Sequence, residues 1–135
     1  MKRSMVLVLA SASLVALVLF GCVHRIPLRS LPITRMHVVK RRILQYAHSQ
    51  NRLPASLYEL PEMSGYDNSI QDSWNRTLLY EVDSTGNVTL KSYGQDGVSG
   101  GDGENADIIG IFTPRDANGR WNDELVPWAV TPFAK

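Results

Sequence analysis

The chain reads as an α+β fold, with one amphipathic amino-terminal helix packed on a small antiparallel sheet of about three strands, all within residues 35–112. Three observations predict it. Met36, Val39, Ile43 and Tyr46, with Leu44 and Ala47 beside them, repeat at three- and four-residue steps and make one apolar helical stripe. Thr77–Val82 and Val88–Lys91 alternate in polarity on either side of a short turn, as a hairpin does. A glycine- and acid-rich segment, Ser92–Asp107, then joins that hairpin to a third apolar run, Ile108–Phe112.

Ahead of the domain, Lys2 and Arg3 give a basic start to the mainly apolar run Met5–Phe20. Its sixteen residues fall short of the ~20 that span a bilayer as a helix, and suit the centre of a secretory signal. Leu19-Phe20-Gly21-Cys22 resembles a bacterial lipobox, with Leu at −3, Gly at −1 and the acceptor Cys22 at +1. This predicts a signal peptide over 1–21, acylation of Cys22 and a tether over 22–34, where Arg25–Pro32 holds two prolines and two arginines. An uncleaved signal anchor with an incidental cysteine is the other reading. Cys22 is the only cysteine, so a disulfide within the chain is excluded.

Thr34 is placed to cap a helix running to about Gln50. Pro54 ends any continuation, and Ser56–Leu60 suits a short helical turn whose Leu57 and Leu60 close over the core. Glu62–Arg76, rich in turn formers, is expected to be an ordered loop in which Trp74 plugs the core. In the hairpin, Leu78, Tyr80 and Val82 share one face with Val88 and Leu90. Its loop, Asp83-Ser84-Thr85-Gly86-Asn87, has Gly where positive φ is needed. The tail Thr113–Lys135 carries Trp121, Leu125, Val126, Trp128, Val130 and Phe133, broken by Pro114, Pro127 and Pro132. Prolines at that density disfavour a helix. Two readings are open for the tail: an extended arm wrapping its own domain, or a strap whose aromatics anchor a partner.

Ser92–Asp107 holds five glycines and four acids (Asp96, Asp102, Glu104, Asp107) and no Lys, Arg or His. Ordering so many glycines is entropically costly, and four carboxylates in a compact loop repel. A hard cation taking carboxylate and carbonyl oxygens would offset both; a flexible acidic surface loop would avoid both. An EF-hand is excluded, because Asp96-Gly97-Val98 breaks its alternation of acids. Gly100–Asn105 matches one nonapeptide of a calcium β-roll, but such rolls need several stacked copies.

Over a longer span the segment resembles the carboxyl-terminal loop of the major, G-type pseudopilin of type II secretion systems. That family has a Ser-aromatic/Leu-Gly-x-Asp-Gly…Gly-Gly-x-Gly…Ala-Asp-Ile pattern. Here it reads Ser92-Tyr93-Gly94-Gln95-Asp96-Gly97, Gly100-Gly101-Asp102-Gly103 and Ala106-Asp107-Ile108. Upstream, Leu53-Pro54-Ala55-Ser56-Leu57 is similar to the family's Leu/Tyr-Pro…Leu segment. Asp72-Ser73-Trp74-Asn75-Arg76 keeps the Asp and Trp of its Asp-Pro-Trp-Gly-Asn-Pro turn. The resemblance covers about 35–109 and implies a pseudopilin-like domain whose loop binds Ca2+. On that basis the expected ligands are the carboxylates of Asp96 and Asp107, the Tyr93 carbonyl and an oxygen from Gly101 or Asp102. The family's Gly-Phe-Thr-Leu-x-Glu start and long apolar stalk have no counterpart here.

Removing the first 21 residues leaves 114, enough for one small domain, with 12 basic against 13 acidic side chains. That balance gives no support to nucleic-acid binding. Arg25, Arg29, Arg35, Lys40, Arg41, Arg42 and Arg52 cluster early, either as a solvated helix face or as a surface for anionic headgroups. His37 and His48 would lie about 16 Å apart along the helix, too far to share a metal. No nucleophile elbow, zinc-protease motif or phosphate loop occurs, and no small-molecule substrate is evident. The sequence therefore predicts a non-enzymatic lipoprotein of the bacterial envelope, facing the periplasm or the exterior. Its expected partners are the membrane, through Cys22, and other envelope or secretion-system proteins. A membrane-anchored pseudopilin subunit is the alternative, and a hydrolase using Asp96 or Asp107 a distant third.

Overall fold

The computed structural model describes residues 30–132; the expected signal peptide, Cys22 and the tether as far as Arg29 lie outside the described residues. Helix α1 spans Ser30–Gln50, so it begins four residues before the expected Thr34 cap and takes in the end of the predicted tether. Pro32 accounts for the difference. In the first helical turn an N–H has no intrahelical acceptor, so the missing donor of proline costs nothing there, and its ring is fully buried. The helix stops where Asn51 adopts a left-handed conformation (φ 52°), a common C-terminal device.

The predicted stripe is the core. Met36, Val39, Ile43, Leu44, Tyr46 and Ala47 are buried against Leu57, Leu60, Leu78, Val88, Leu90, Ile108 and Phe112. At about 1.5–3 kcal/mol for each large side chain removed from water, this contact is the main favourable term for so small a domain. The short 3-10 turn Leu57–Glu59 falls within the predicted helical turn. It is tied back to α1 by Tyr46, whose hydroxyl donates to Glu59 Oε2 at 2.6 Å.

The sheet has four strands rather than three: β1 (Leu79–Val82), β2 (Val88–Ser92), β3 (Ile108–Phe112) and β4 (Ala129–Pro132), antiparallel in sequence order. Register pairs Tyr80 with Leu90, Leu90 with Gly110 and Gly110 with Val130 across its inner face. Val82, expected inside, is 43% exposed on the edge strand, although its register partner Val88 is fully buried. Trp74 does not plug the core either. It is half-buried, with the Arg76 guanidinium 5.8 Å from its ring, and Asp72 is the buried residue of that turn, 1% exposed.

The tail follows the course of an arm on its own domain. A short bridge pairs Arg115 with Trp121, and the Trp121 indole N–H donates to Asn51 Oδ1 at 3.0 Å. Trp128 lies edge-on to His37, with centroids 4.6 Å apart, and rests on Gly110, where any Cβ would collide with its ring. Gly110 is thus the notch in β3 that admits the arm. Of the basic cluster, Arg35, Lys40, Arg41 and Arg42 are engaged by the domain, whereas Arg52 is exposed beside Glu59. Arg35 binds Asp67 and the Asp72 carbonyl, and Arg41 binds Tyr66 and Glu124. Arg42 donates to the carbonyls of Leu60, Pro61 and Asn68, and Lys40 to that of Val126. Burial pushes the Lys40 ammonium below its ordinary pKa, with Asp123 opposing.

Candidate functional site

The glycine loop leaves the inner end of β2 at Ser92 and returns to β3 at Ile108, residues that are themselves paired, so both ends of the loop are held side by side. All five of its glycines have positive φ, from 62° at Gly103 to 96° at Gly100. At two of them the surroundings forbid a side chain outright. A Cβ on Gly94 would lie 2.5 Å from the Asn105 carbonyl, and one on Gly101 2.8 Å from the same oxygen. The two strands of the loop are therefore folded onto the Asn105 backbone, and only glycine allows that approach.

Backbone bonds close the fold. Gln95 N–H donates to the Glu104 carbonyl at 2.8 Å, and Asn105 N–H to that of Asp102 at 3.1 Å, forming the 3-10 turn Gly103–Asn105. Among the predicted site residues, Asp107 is half-buried, and its Oδ1 accepts from Gly100 N–H at 3.0 Å, with Ser99 Oγ 3.4 Å from Oδ2. Asp107 is thereby brought against the Ser99–Gly100 stretch. Asp96 is exposed and accepts from Val98 N–H at 3.0 Å. Gly101 and Asp102 are exposed, and Tyr93 is half-buried with the Lys91 ammonium 5.4 Å from its ring centroid. A carboxylate engaged by one amide keeps acceptor capacity, so the donor chemistry at Asp96 and Asp107 suits a hard cation. Among the described residues no three of His, Cys, Asp and Glu form a metal-holding group, so carbonyl oxygens would have to complete the set.

Two residues of the site escaped the sequence analysis. Asp72 accepts from Trp74 N–H (2.9 Å), Arg76 N–H (3.0 Å) and the Ser92 hydroxyl (2.7 Å), which ties its turn to the last residue of β2. Arg76 reaches on into the loop. Its guanidinium donates to the Gln95 carbonyl at 3.1 Å and to the Gly94 carbonyl, and its Nε lies 3.6 Å from Asp72 Oδ2. Their signal was a repeat: Asp72–Arg76, Asp83–Asn87 and Asp116–Arg120 are the same turn three times. In each, the Asp N–H donates to the fifth residue's carbonyl and its Oδ1 accepts from the third and fifth amides. The fourth residue is left-handed in all three, at φ 60° for Asn75, 85° for Gly86 and 77° for Gly119. Asn75 thus takes, at the position of the family's glycine, the conformation glycine would supply.

Searches of curated proteins and of solved structures give no match. The sequence does match the family of type II secretion system (T2SS), protein G, over residues 34–111. Those residues run from the second turn of α1 through the glycine loop and most of β3, and stop short of the arm. They are more than half of the chain, and they hold the helix, the hairpin and the loop whose geometry is described above, so the protein belongs to the type II secretion system protein G family.

Proposed function

We propose that this protein is a lipid-anchored pseudopilin-like component of type II secretion in the bacterial envelope, stabilised by calcium at Ser92–Asp107 and acting through protein contacts, without catalysis. The observation that carries the calcium reading is the glycine loop itself. Five left-handed glycines fold four acids into one compact segment, with Asp107 turned onto Ser99 and Gly100 across it. Asp96 and Asp107 would hold the ion, with carbonyl oxygens from Tyr93 and from Gly101 or Asp102. When bound, calcium supplies positive charge and a clamp between the exit of β2 and the start of β3. Oxygen donors favour calcium over zinc.

Cys22, at the end of the lipobox-like Leu19-Phe20-Gly21-Cys22, supports the lipid anchor. The alternative, a filament subunit held by an uncleaved apolar helix, is favoured by the family and by the early start of α1 at Ser30. Against it, the apolar stripe of α1 is already covered by its own sheet.

Two measurements test the proposal. Mass spectrometry of the mature protein should find a diacylglyceryl-modified Cys22 as the first residue, and Cys22→Ser should leave the precursor uncleaved; an intact Met5–Phe20 in the mature wild type would favour the filament subunit. Chelation should lower the melting temperature and calcium restore it, since ligand near 100 times its Kd adds about 2.7 kcal/mol. Melting indifferent to both would remove calcium from the proposal.

A further inference from the structure

We propose that Arg76 is the resident cation of the glycine loop, ordering its first turn, Tyr93–Gly97, without metal, so that calcium, held between Asp96 in that turn and Asp107, has only Gly100–Asp107 left to order. The loop contains no cationic side chain of its own, and its charge is offset from outside. Arg76 is aimed by three constraints. Its backbone N–H is fixed on Asp72 Oδ1, its Nε faces Asp72 Oδ2, and its guanidinium carbon lies 5.8 Å from the centre of the Trp74 ring. The two terminal nitrogens then meet two successive carbonyls, those of Gly94 and Gln95, as a planar fork can and a single ammonium cannot.

Gly97 completes the fit. A Cβ there would sit 3.1 Å from Arg76 Nη1, so the chain passes directly over the guanidinium. The carbonyls of Gly94 and Gln95 are directed at Arg76, while Asp107 is linked separately to Ser99 and Gly100. Asp72 couples this arrangement to the sheet through Ser92 and to α1 through Arg35. The division of labour between guanidinium and metal rests on the calcium proposal; the ordering by Arg76 does not.

Hydrogen exchange of the full-length protein, read by mass spectrometry, separates the two. In EDTA, Arg76→Ala should speed exchange at Gln95 and Asn105 by about tenfold or more, the size expected for losing charged hydrogen bonds, while β2 and β3 keep their protection. Arg76→Lys, which keeps charge and stem, should give a smaller acceleration confined to residues 94–98, and serves if the alanine variant does not fold. Calcium should then slow exchange around Gly100 and Asp107 in the wild type and both variants. Unchanged loop exchange in EDTA for the variants would overturn the role of Arg76, as would an acceleration spread equally over β2 and β3. A normal Arg76 effect with no response to calcium would keep this inference and sink the calcium reading instead.

Discussion

Asp72 shows how much one buried carboxylate can organise. It receives two amides of its own turn and the Ser92 hydroxyl, while its carbonyl takes Arg35 from α1, so helix, turn, sheet and loop meet at one residue. Asp83 makes the same turn exposed to water, and Asp116 makes it half-buried. The hydrogen bond from the Thr85 hydroxyl, ahead of the amide of Asn87, holds the Asp83 carboxyl down to about 2, and the Arg120 amide depresses Asp116. The turns share a mechanism but not a consequence, because only at Asp72 are the carboxylate and one of its donors, the Ser92 hydroxyl, shut away from solvent. Asp72→Ala should cost about 2–4 kcal/mol, since the buried Ser92 hydroxyl and two part-buried amides lose their acceptor, at about 1–3 kcal/mol for a donor left fully unsatisfied. Asp83→Ala should lower stability far less. Urea unfolding of the two variants side by side checks this, and equal midpoints would refute it.

The arm raises a different question, since its residues lie beyond the stretch shared with the protein G family. Its strand β4 covers the edge of β3, whose Ile-Ile-Gly-Ile-Phe sequence would otherwise present unpaired amides on an apolar strand. Deleting residues 114–135 should therefore leave a folded helix–hairpin body that self-associates, seen by sedimentation as a concentration-dependent mass. A truncated protein that stays monomeric would show that the edge needs no cover. The helix, the hairpin, the third strand and the glycine loop were all legible in the sequence, because apolar period, alternation and glycine density are local. β4 was not. Its four residues are flanked by Pro127 and end in Pro132, and only the notch at Gly110 and the free edge of β3 make them a strand. Arg76 was likewise hidden, since its partners lie 18 and 19 residues away.

At the scale of the whole molecule, charge states set a window of stability. His37, exposed but partly desolvated edge-on to Trp128 and near Lys40, has a pKa below 6.5, so the fold favours its neutral form, and that contribution is lost as pH falls below the unfolded value of 6.5. Glu59, held down chiefly by the Tyr46 hydroxyl, contributes above 4.5, and Asp83 and Asp116 contribute above 3.8; these contributions fade as pH falls through the lower folded values. Burial, then Glu59, pushes Tyr80 up to about 12, so its contribution is complete below 10 and lost as pH rises through 12. Melting temperature should be highest between about pH 7 and 9, with a first decline near 6 and a second below 4. His37→Gln should erase the first decline alone; a profile flat from neutrality to pH 5 would contradict the assignment.

The strands pair strictly in chain order, each with the one before it. A polypeptide delivered amino terminus first, as one following a signal sequence would be, can therefore assemble this sheet as it arrives. The helix is available as a platform before any strand, and no strand must wait for a distant partner, which keeps loop-closure costs low. At every stage the growing edge faces the surroundings, first β2, then β3, while β1 stays the opposite edge throughout. When β4 pairs, the apolar edge of β3 is replaced by a short edge strand that ends in Pro132, which has no amide to offer a further strand, so the sheet closes on a segment that discourages its own extension.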